Sequence, residues 1–482
     1  MFLGIDLGTS GVKAVIVDAD GTVVAQESAP LTVSRPSALW SEQNPEDWWE
    51  ATDIAILALD PDLRAGVQGV GLAGQMHGAT LLGDDDRPLR PAILWNDGRS
   101  FAECAELEAA ESRSRAITGN LAMPGFTAPK LQWVRNHEPA TFAATRSVLL
   151  PKDYLRLRMT GDKASDMSDS AGTLWLDVGA RTWSKEMLAA TGLSESHMPT
   201  LYEGSDVTGS LRADVAARWG MGRVPVAAGG GDNAAGAVGV GVMGEGDALL
   251  SLGTSGVLFV ATRDFRPNPA RAMHAFCHAL PETWHQMAVH LSAASCIDWA
   301  ARLMGTAGPA EVFALAEGEG VSSGPELFLP YLTGERTPYN DPHVRGAFLS
   351  LGSESSPGRL AAAVLEGVAF AHADGLAALR EAGTKLSSLC VIGGGARSRH
   401  WGQIFAAVLD TPLVYIEGGE VGPALGAAKL AQIAITGAPA AEVCVRPPVR
   451  HVIEPDPILA DRLAPKLDRF RAAYPLIRQI QE

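Results

Sequence analysis

Apolar and polar positions alternate in three short runs at the start of the chain: "FLGIDL" (residues 2–7), "VKAVIV" (12–17) and "TVVAQESA" (22–29). This pattern predicts strands. The "GTSG" and "DADG" stretches between them predict tight turns, because glycine and aspartate tolerate the left-handed backbone that hairpins need. A helix is predicted to begin at "NPEDWWEATDIAILAL" (44–59). Asn44 suits the N-cap, Pro45 the first turn, and Glu46 and Asp47 the positive end of the helix dipole. "VQGVGLAGQ" (67–75) then reads as a buried strand.

The second half opens in the same way. "ALLSL" (248–252), a second "GTSG" turn and "VLFVAT" (257–262) predict a hairpin, with "WHQMAVH" (284–290) as its third strand. Helices are predicted at 292–305, 359–383, 398–409 and 422–434, and strands at 388–395 and 412–417. The hexapeptide "LGTSGV" stands at both 7–12 and 252–257. Six identical residues in matching strand contexts indicate a duplicated supersecondary unit. Strand–strand–strand–helix–strand resembles the ribonuclease-H-like unit of actin, hexokinase and the heat-shock ATPases. The expected fold is therefore α/β, with two such domains flanking a central cleft. The expected division is 1–245, 246–436 and a tail at 437–482 packed on the second domain, with the changeover at "VMGEGDAL" (242–249).

Length and charge narrow the function. A chain of 482 residues is long for one domain and natural for two. A formal net charge of −16 with no basic block argues against a nucleic-acid or membrane partner. It leaves room for a phosphorylated ligand held by backbone N–H groups. Cys104, Cys277, Cys296, Cys390 and Cys444 are scattered and form no CxxC, which argues against a disulfide framework. "MFLGID" does not resemble a signal peptide, and no uninterrupted apolar run reaches membrane-spanning length. A cytoplasmic enzyme is expected.

Each Gly-Thr-Ser-Gly turn offers backbone N–H groups and two hydroxyls, a concavity suited to phosphate oxygens. Asp6 precedes the first turn where Ser251 precedes the second. An aspartate there can hold Mg²⁺ beside a phosphate, directly or through water. "PVAAGGGDNAAGAVGVG" (225–241) runs a strand, 224–228, through three glycines into Asp232 and Asn233 at the start of an Ala/Gly helix. A carboxylate at that point can take the proton of an attacking hydroxyl, and the helix dipole is expected to keep it ionised. "VIGGGARS" (391–398) repeats the strand-to-glycine design, and Gly394, Gly395 and Ala396 make a flat surface for a nucleoside. "GGEVGPALGAAKL" (418–430) adds a close-packing helix start. Gln75, Met76 and His77 fall at the C-terminal end of a buried strand, where α/β ligands collect. "WNDGR" (95–99) reads as a polar turn with Asp97 paired to Arg99. His274, Cys277, His278, His285 and His290 fit no zinc spacing. Neither a GxxxxGK[ST] loop nor the protein-kinase HRD and DFG set occurs.

Together "GIDLGTSGVK", "LWSEQNPEDWW", "AGQMHGATLL", "RPAILWNDGR", "LLPKDYLRLRMTG", "GGGDNAAGAVGVG", "SLGTSGV", "LPYLTGERTP" and "IGGGARS" resemble, in this order, the FGGY family of carbohydrate kinases over about residues 1–435. "GQMHG", with "WNDGR" and "LTGERTP", is most similar to its members that act on D-xylulose; the glycerol kinases carry Arg-Glu at the Met76-His77 positions. The resemblance implies ATP and Mg²⁺, a sugar acceptor phosphorylated at O5, and often a homodimer. It implies Asp232 as catalytic base, Asp6 as the magnesium-associated acid, and Met76, His77, Asp232 and Asn233 as sugar contacts. It implies Thr9, Ser10, Lys13 and Thr254 at the phosphates and Gly394, Gly395 and Ala396 at the nucleoside. Alternatives are another acceptor within the family (ribulose, gluconate or a polyol) and a non-sugar, actin-like ATPase switch. The chain departs from the family's second signature at Ser350, where glycine is usual, and at Arg359, where a polar or acidic residue is usual.

Overall fold

The computed structural model describes residues 1–417 and 422–481, without the side chain of Ala396; the first four residues of the expected "GGEVGPALGAAKL" element lie outside the described residues. The alternating runs form β1 (Phe2–Leu7), β2 (Gly11–Val17) and β3 (Val23–Pro30), an antiparallel meander. Helix α1 (Pro45–Ala58) follows, and the Asn44 side chain accepts from the Glu46 N–H at its start. The chain then enters β4 (Gly69–Gly74), parallel to β1. Further on come α2 (Pro151–Thr160), α3 (Met167–Ala171), β5 (Val207–Ser210), β6 (Pro225–Ala227) and α4 (Asp232–Gly239). The sheet order is β3-β2-β1-β4-β6-β5.

The second half builds β7 (Ala248–Leu252), β8 (Gly256–Thr262), β9 (His274–Cys277), β10 (Trp284–His290), α5 (Pro357–Glu381), β11 (Leu389–Ile392), α6 (Arg399–Leu409), β12 (Leu413–Ile416) and α7 (Pro423–Thr436). Its sheet runs β10-β8-β7-β11-β12 in the same sequence of antiparallel and parallel pairings as β3-β2-β1-β4-β6. The duplication read from "LGTSGV" is thus a duplication of sheet topology. Strand β9 is an addition outside β10. The tail supplies β13 (Val449–Ile453), an edge strand antiparallel to β12, and α8 (Pro457–Gln481).

The equivalent helices α4 and α7 fasten the halves together. Helix α7 leaves the second sheet and lies across β1 and β4 of the first. A Cβ on Gly4 would run into the Ala424 carbonyl and one on Gly71 into the Ala427 carbonyl. Small residues on both faces let helix and sheet meet backbone to backbone, where dispersion contacts are densest. The alanines and glycines of "GPALGAAKL" therefore serve packing. One apolar cluster, holding Met76, Phe126, Phe259, Phe276 and Met287, spans both halves. Helix α5 is the one described helix long and apolar enough to cross a bilayer, and 89% of its apolar window is buried inside the protein.

The two departures from the family's second signature have different physical settings. Ser350 sits at φ +61°, in the left-handed region that glycine occupies without cost. Arg359 pairs with Glu319 at 3.2 Å. Ser350→Gly is expected to raise stability by about 1 kcal/mol, the usual penalty for a side chain at such a φ, less the exposed hydrogen bond from Arg469 to Ser350 Oγ. A denaturant midpoint equal to or below that of the parent chain would contradict this.

Candidate active site

Strand β6 ends at Ala227, and the chain must turn sharply to begin α4 at Asp232. Gly229 makes that turn at φ +77°, pressed against the Leu72 carbonyl, where a Cβ has no space. Gly230 and Gly231 then run beside the end of β4, opposite Ala73 and Gly74. The Gly231 N–H donates to Ser168 Oγ at 3.1 Å. Asp232 emerges as the first helical residue, with Oδ1 accepting from the Asn233 N–H at 2.7 Å and from Asn233 Nδ2 at 2.8 Å.

Asp232 and Asn233 open onto a cavity of about 300 Å³ between the halves. Met76 and His77 line it from the first half, Ser251, Gly253 and Ser255 from the second. The structure therefore brings the four expected sugar contacts into one space with part of the second Gly-Thr-Ser-Gly turn. Thr9, Ser10, Lys13, Thr254, Gly394 and Gly395 are not in its wall. Ser10 and Thr254 project to solvent from their turns, Lys13 stands directly across the hairpin from Asp6, and a Cβ on Gly394 would meet open space.

Electrostatics correct one expectation. Burial pushes the Asp232 carboxyl up to about 6, against the two Asn233 donors, so desolvation outweighs the helix N-terminus. Asp6 is pushed up to about 7, first by burial and then by the charge of Asp232, with Lys13 opposing. Asp6 Oδ1 is buried with no hydrogen-bond partner. An unpartnered carboxylate oxygen that is costly to ionise, set next to a phosphate-sized turn, fits a divalent cation.

Thr9 is committed differently from the sequence expectation. Its hydroxyl donates to Gln75 Oε1 at 3.1 Å and accepts from Trp95 Nε1 at 2.9 Å. Gln75 Nε2 reaches Gln43, which also takes the Trp48 N–H. The hydroxyl thus ties the first turn to the cavity wall, leaving the turn's backbone to face a ligand.

His77 sits at φ +69° with Nδ1 2.7 Å from the Gly172 carbonyl. A carbonyl only accepts, so Nδ1 carries the proton and Nε2 is left as an acceptor. Burial, then the charge of Lys130, holds the ring down to about 3, so it is neutral. The Asp97–Arg99 pair expected in "WNDGR" is present, with a shortest contact of 2.7 Å. Trp95, from the same stretch, lines the cavity, which a polar-turn reading missed. So do His274, Phe276 and Arg336. The first two ride on β9, whose four residues are too few to show a period. Arg336 belongs to "LTGERTP", a stretch valued only for its resemblance.

Comparison with known proteins follows the same division. The model of the FGGY family of carbohydrate kinases matches residues 1–239 with its N-terminal domain and 248–435 with its C-terminal domain. The chain is 55% identical to the xylulose kinase of Escherichia coli strain K12, over 98% of each chain. Its structure superposes on the crystal structure of a xyloylose kinase from Brucella ovis with a TM-score of 0.96 and 51% identity, over 99% of each chain. A gluconate kinase from Lactobacillus acidophilus, TM-score 0.91 over 98% of this chain and 97% of that one, is 24% identical and shares the fold.

Proposed function

The chain belongs to the FGGY family of carbohydrate kinases, and we propose that it uses ATP to phosphorylate D-xylulose at O5, giving D-xylulose 5-phosphate. The observation that carries this reading is the position of Asp232, a carboxylate at the mouth of a helix, in a cavity walled by Met76 and His77 on one side and by Ser251, Gly253 and Ser255 of the other half. The full-length similarity to the xylulose kinase of E. coli selects the acceptor.

In this reading the sugar lies along Met76 and His77, where His77 Nε2 accepts from one of its hydroxyls and Asn233 fixes the Asp232 carboxylate. The O5–H donates to Asp232. As O5 attacks the γ-phosphorus in line, its proton passes to Asp232, the bond from the γ-phosphorus to the β,γ-bridging oxygen breaks, and ADP leaves. The backbone of the two turns, that of Thr9 included, holds the phosphates with Ser10, Lys13 and Thr254. Gly394, Gly395 and Ala396 flank the nucleoside. Asp6 would hold Mg²⁺, which when bound offsets charge on the phosphates. A cavity between two packed halves also keeps water from the γ-phosphorus, since an unoccupied acceptor position invites hydrolysis. A cytoplasmic location and a homodimer complete the reading on the family resemblance alone.

ADP release with D-xylulose, D-ribulose, gluconate and glycerol, each against a blank without sugar, tests it. D-Xylulose is expected to give the highest kcat/KM, by at least ~10-fold, the discrimination that one or two hydrogen bonds supply. A higher value for another acceptor, or a blank as fast as the sugar reaction, would overturn the assignment.

A further inference from the structure

Arg336 is a half-buried cation that the mechanism above leaves unused. It reaches the cavity from the second half, on the loop that follows Glu335. The neighbouring carboxylate is already committed: Glu335 Oε1 accepts from the N–H groups of Leu291 at 3.0 Å and Arg336 at 2.8 Å, and Oε2 faces His290 at 3.4 Å. Among the described residues the guanidinium makes one side-chain hydrogen bond, from NH1 to His274 Nε2 at 3.4 Å. Arginine only donates, so His274 Nε2 accepts and its Nδ1 carries the proton. That proton goes to Asn120 Oδ1 at 3.1 Å. Asn120 is itself fixed, because its Nδ2 donates to the carbonyls of Thr118 at 2.7 Å and Ala275 at 2.9 Å. Phe276 stacks on the His274 ring at 5.4 Å. The arginine is therefore steered from behind by a rigid, neutral chain, and most of its five N–H donors have no acceptor among the described residues. Those donors face the cavity, free for a ligand group that accepts.

The cavity wall narrows what that ligand group is. Two of its side chains can only donate, Trp95 and Arg336. Trp95 is spent on Thr9. Asp232 only accepts while ionised, and neutral His77 offers a lone pair; both suit hydroxyls. In a ketopentose the 5-hydroxyl closes the furanose ring onto C2, so a sugar with O5 free for phosphorylation is in the open-chain form and carries a carbonyl. A carbonyl is the one group of that sugar that accepts and never donates. Donor-only arginine and acceptor-only carbonyl are matched.

Resting on the proposed function above, we propose that Arg336 reads the C2 carbonyl of the open-chain acceptor and so selects a ketose over the corresponding polyol. The group comes from the half opposite Met76 and His77, so the acceptor is recognised by both halves at once.

The test compares D-xylulose as substrate with xylitol, which carries a hydroxyl at C2, as competitive inhibitor. In Arg336→Met the KM for D-xylulose is expected to rise roughly 10- to 100-fold, the range for a hydrogen bond to a charged group. The inhibition constant of xylitol is expected to change by less than about 3-fold, since a hydroxyl can turn to another partner, and the KM for ATP by no more. Arg336→Lys keeps the charge and stem but not the planar fork. It carries the same test if the methionine variant does not fold, with a KM for D-xylulose raised by about 10-fold. Parallel weakening of D-xylulose and xylitol, or a loss confined to ATP, would overturn the proposal while leaving the proposed function intact. A parent enzyme that does not turn over D-xylulose would overturn both.

Discussion

Asp232→Asn is expected to lower turnover of D-xylulose by at least ~10²-fold, the lower range for loss of a general base, with the fold retained. Asparagine preserves the shape and can still accept from Asn233 through its own oxygen, so the turn into α4 has no reason to rearrange. The pH dependence carries a second signature. Asp232 is pushed up to about 6 and Asp6 to about 7, both chiefly by burial. Asp232 acts as an anion, so parent activity should climb through about pH 6 and level off above it. Stability should move the other way from activity. A carboxyl that holds its proton longer in the folded state than in the unfolded chain loses stability as pH rises through the folded value. At pH 8 the buried anion is a cost, and Asp232→Asn should melt no lower than the parent. Turnover within a few-fold of the parent, measured by ADP release, would refute the assignment of the base.

The doubled fold and the acid at its centre were legible because each rests on local chemistry. Period-two runs separated by Gly-Thr-Ser-Gly gave both meanders, and three glycines before an acid marked a backbone turn that only close approach requires. The other wall of the cavity was not legible. His274, Phe276 and Arg336 converge from β9 and from a loop 62 residues beyond His274, and no local period encodes that meeting. The alanines of α7 predicted close packing but not that the partner is the sheet of the other half, because small residues specify distance and not identity. The elevated carboxyls escaped for a related reason. The helix dipole is written in the sequence next to Asp232, whereas desolvation depends on everything that folds over it. Thr9 shows the same limit, since its partners Gln75 and Trp95 are distant in the chain.

In the sequence, "LLPKDYLRLRMTG" carries only part of a family resemblance, yet with the residues that follow it yields the second large effect. Lys152 is wholly buried, with Nζ 2.6 Å from Asp153 Oδ1, 2.7 Å from Asp166 Oδ1 and 3.2 Å from Asp169 Oδ2. Arg156, equally buried, donates to the carbonyls of Ala227 and Ala228 at 2.9 and 2.5 Å, on the strand that leads to Asp232. Asp166 Oδ2 accepts from Ser168 Oγ, and Ser168 Oγ in turn accepts from the Gly231 N–H. The charges balance if one acid is neutral. Asp169 is that acid: burial holds its carboxyl well above the usual range, and both its oxygens are buried without an aligned hydrogen bond. Lys152→Met would strand two carboxylates in the interior, and is expected to cost about 3–5 kcal/mol, as for a buried pair that loses one partner. With Ser168 loosened, turnover should fall at temperatures where the variant is still folded. Asp169→Asn should behave oppositely. In the parent the folded state keeps a proton that the unfolded chain releases, so stability declines with rising pH across that interval. The amide variant lacks this decline, so its denaturant midpoint should gain on the parent's as pH rises from about 4, the ordinary value of an unfolded carboxyl, and exceed it at pH 8. An Asp169→Asn variant as unstable as Lys152→Met would show that Asp169 carries its charge in the parent and is needed to hold the lysine.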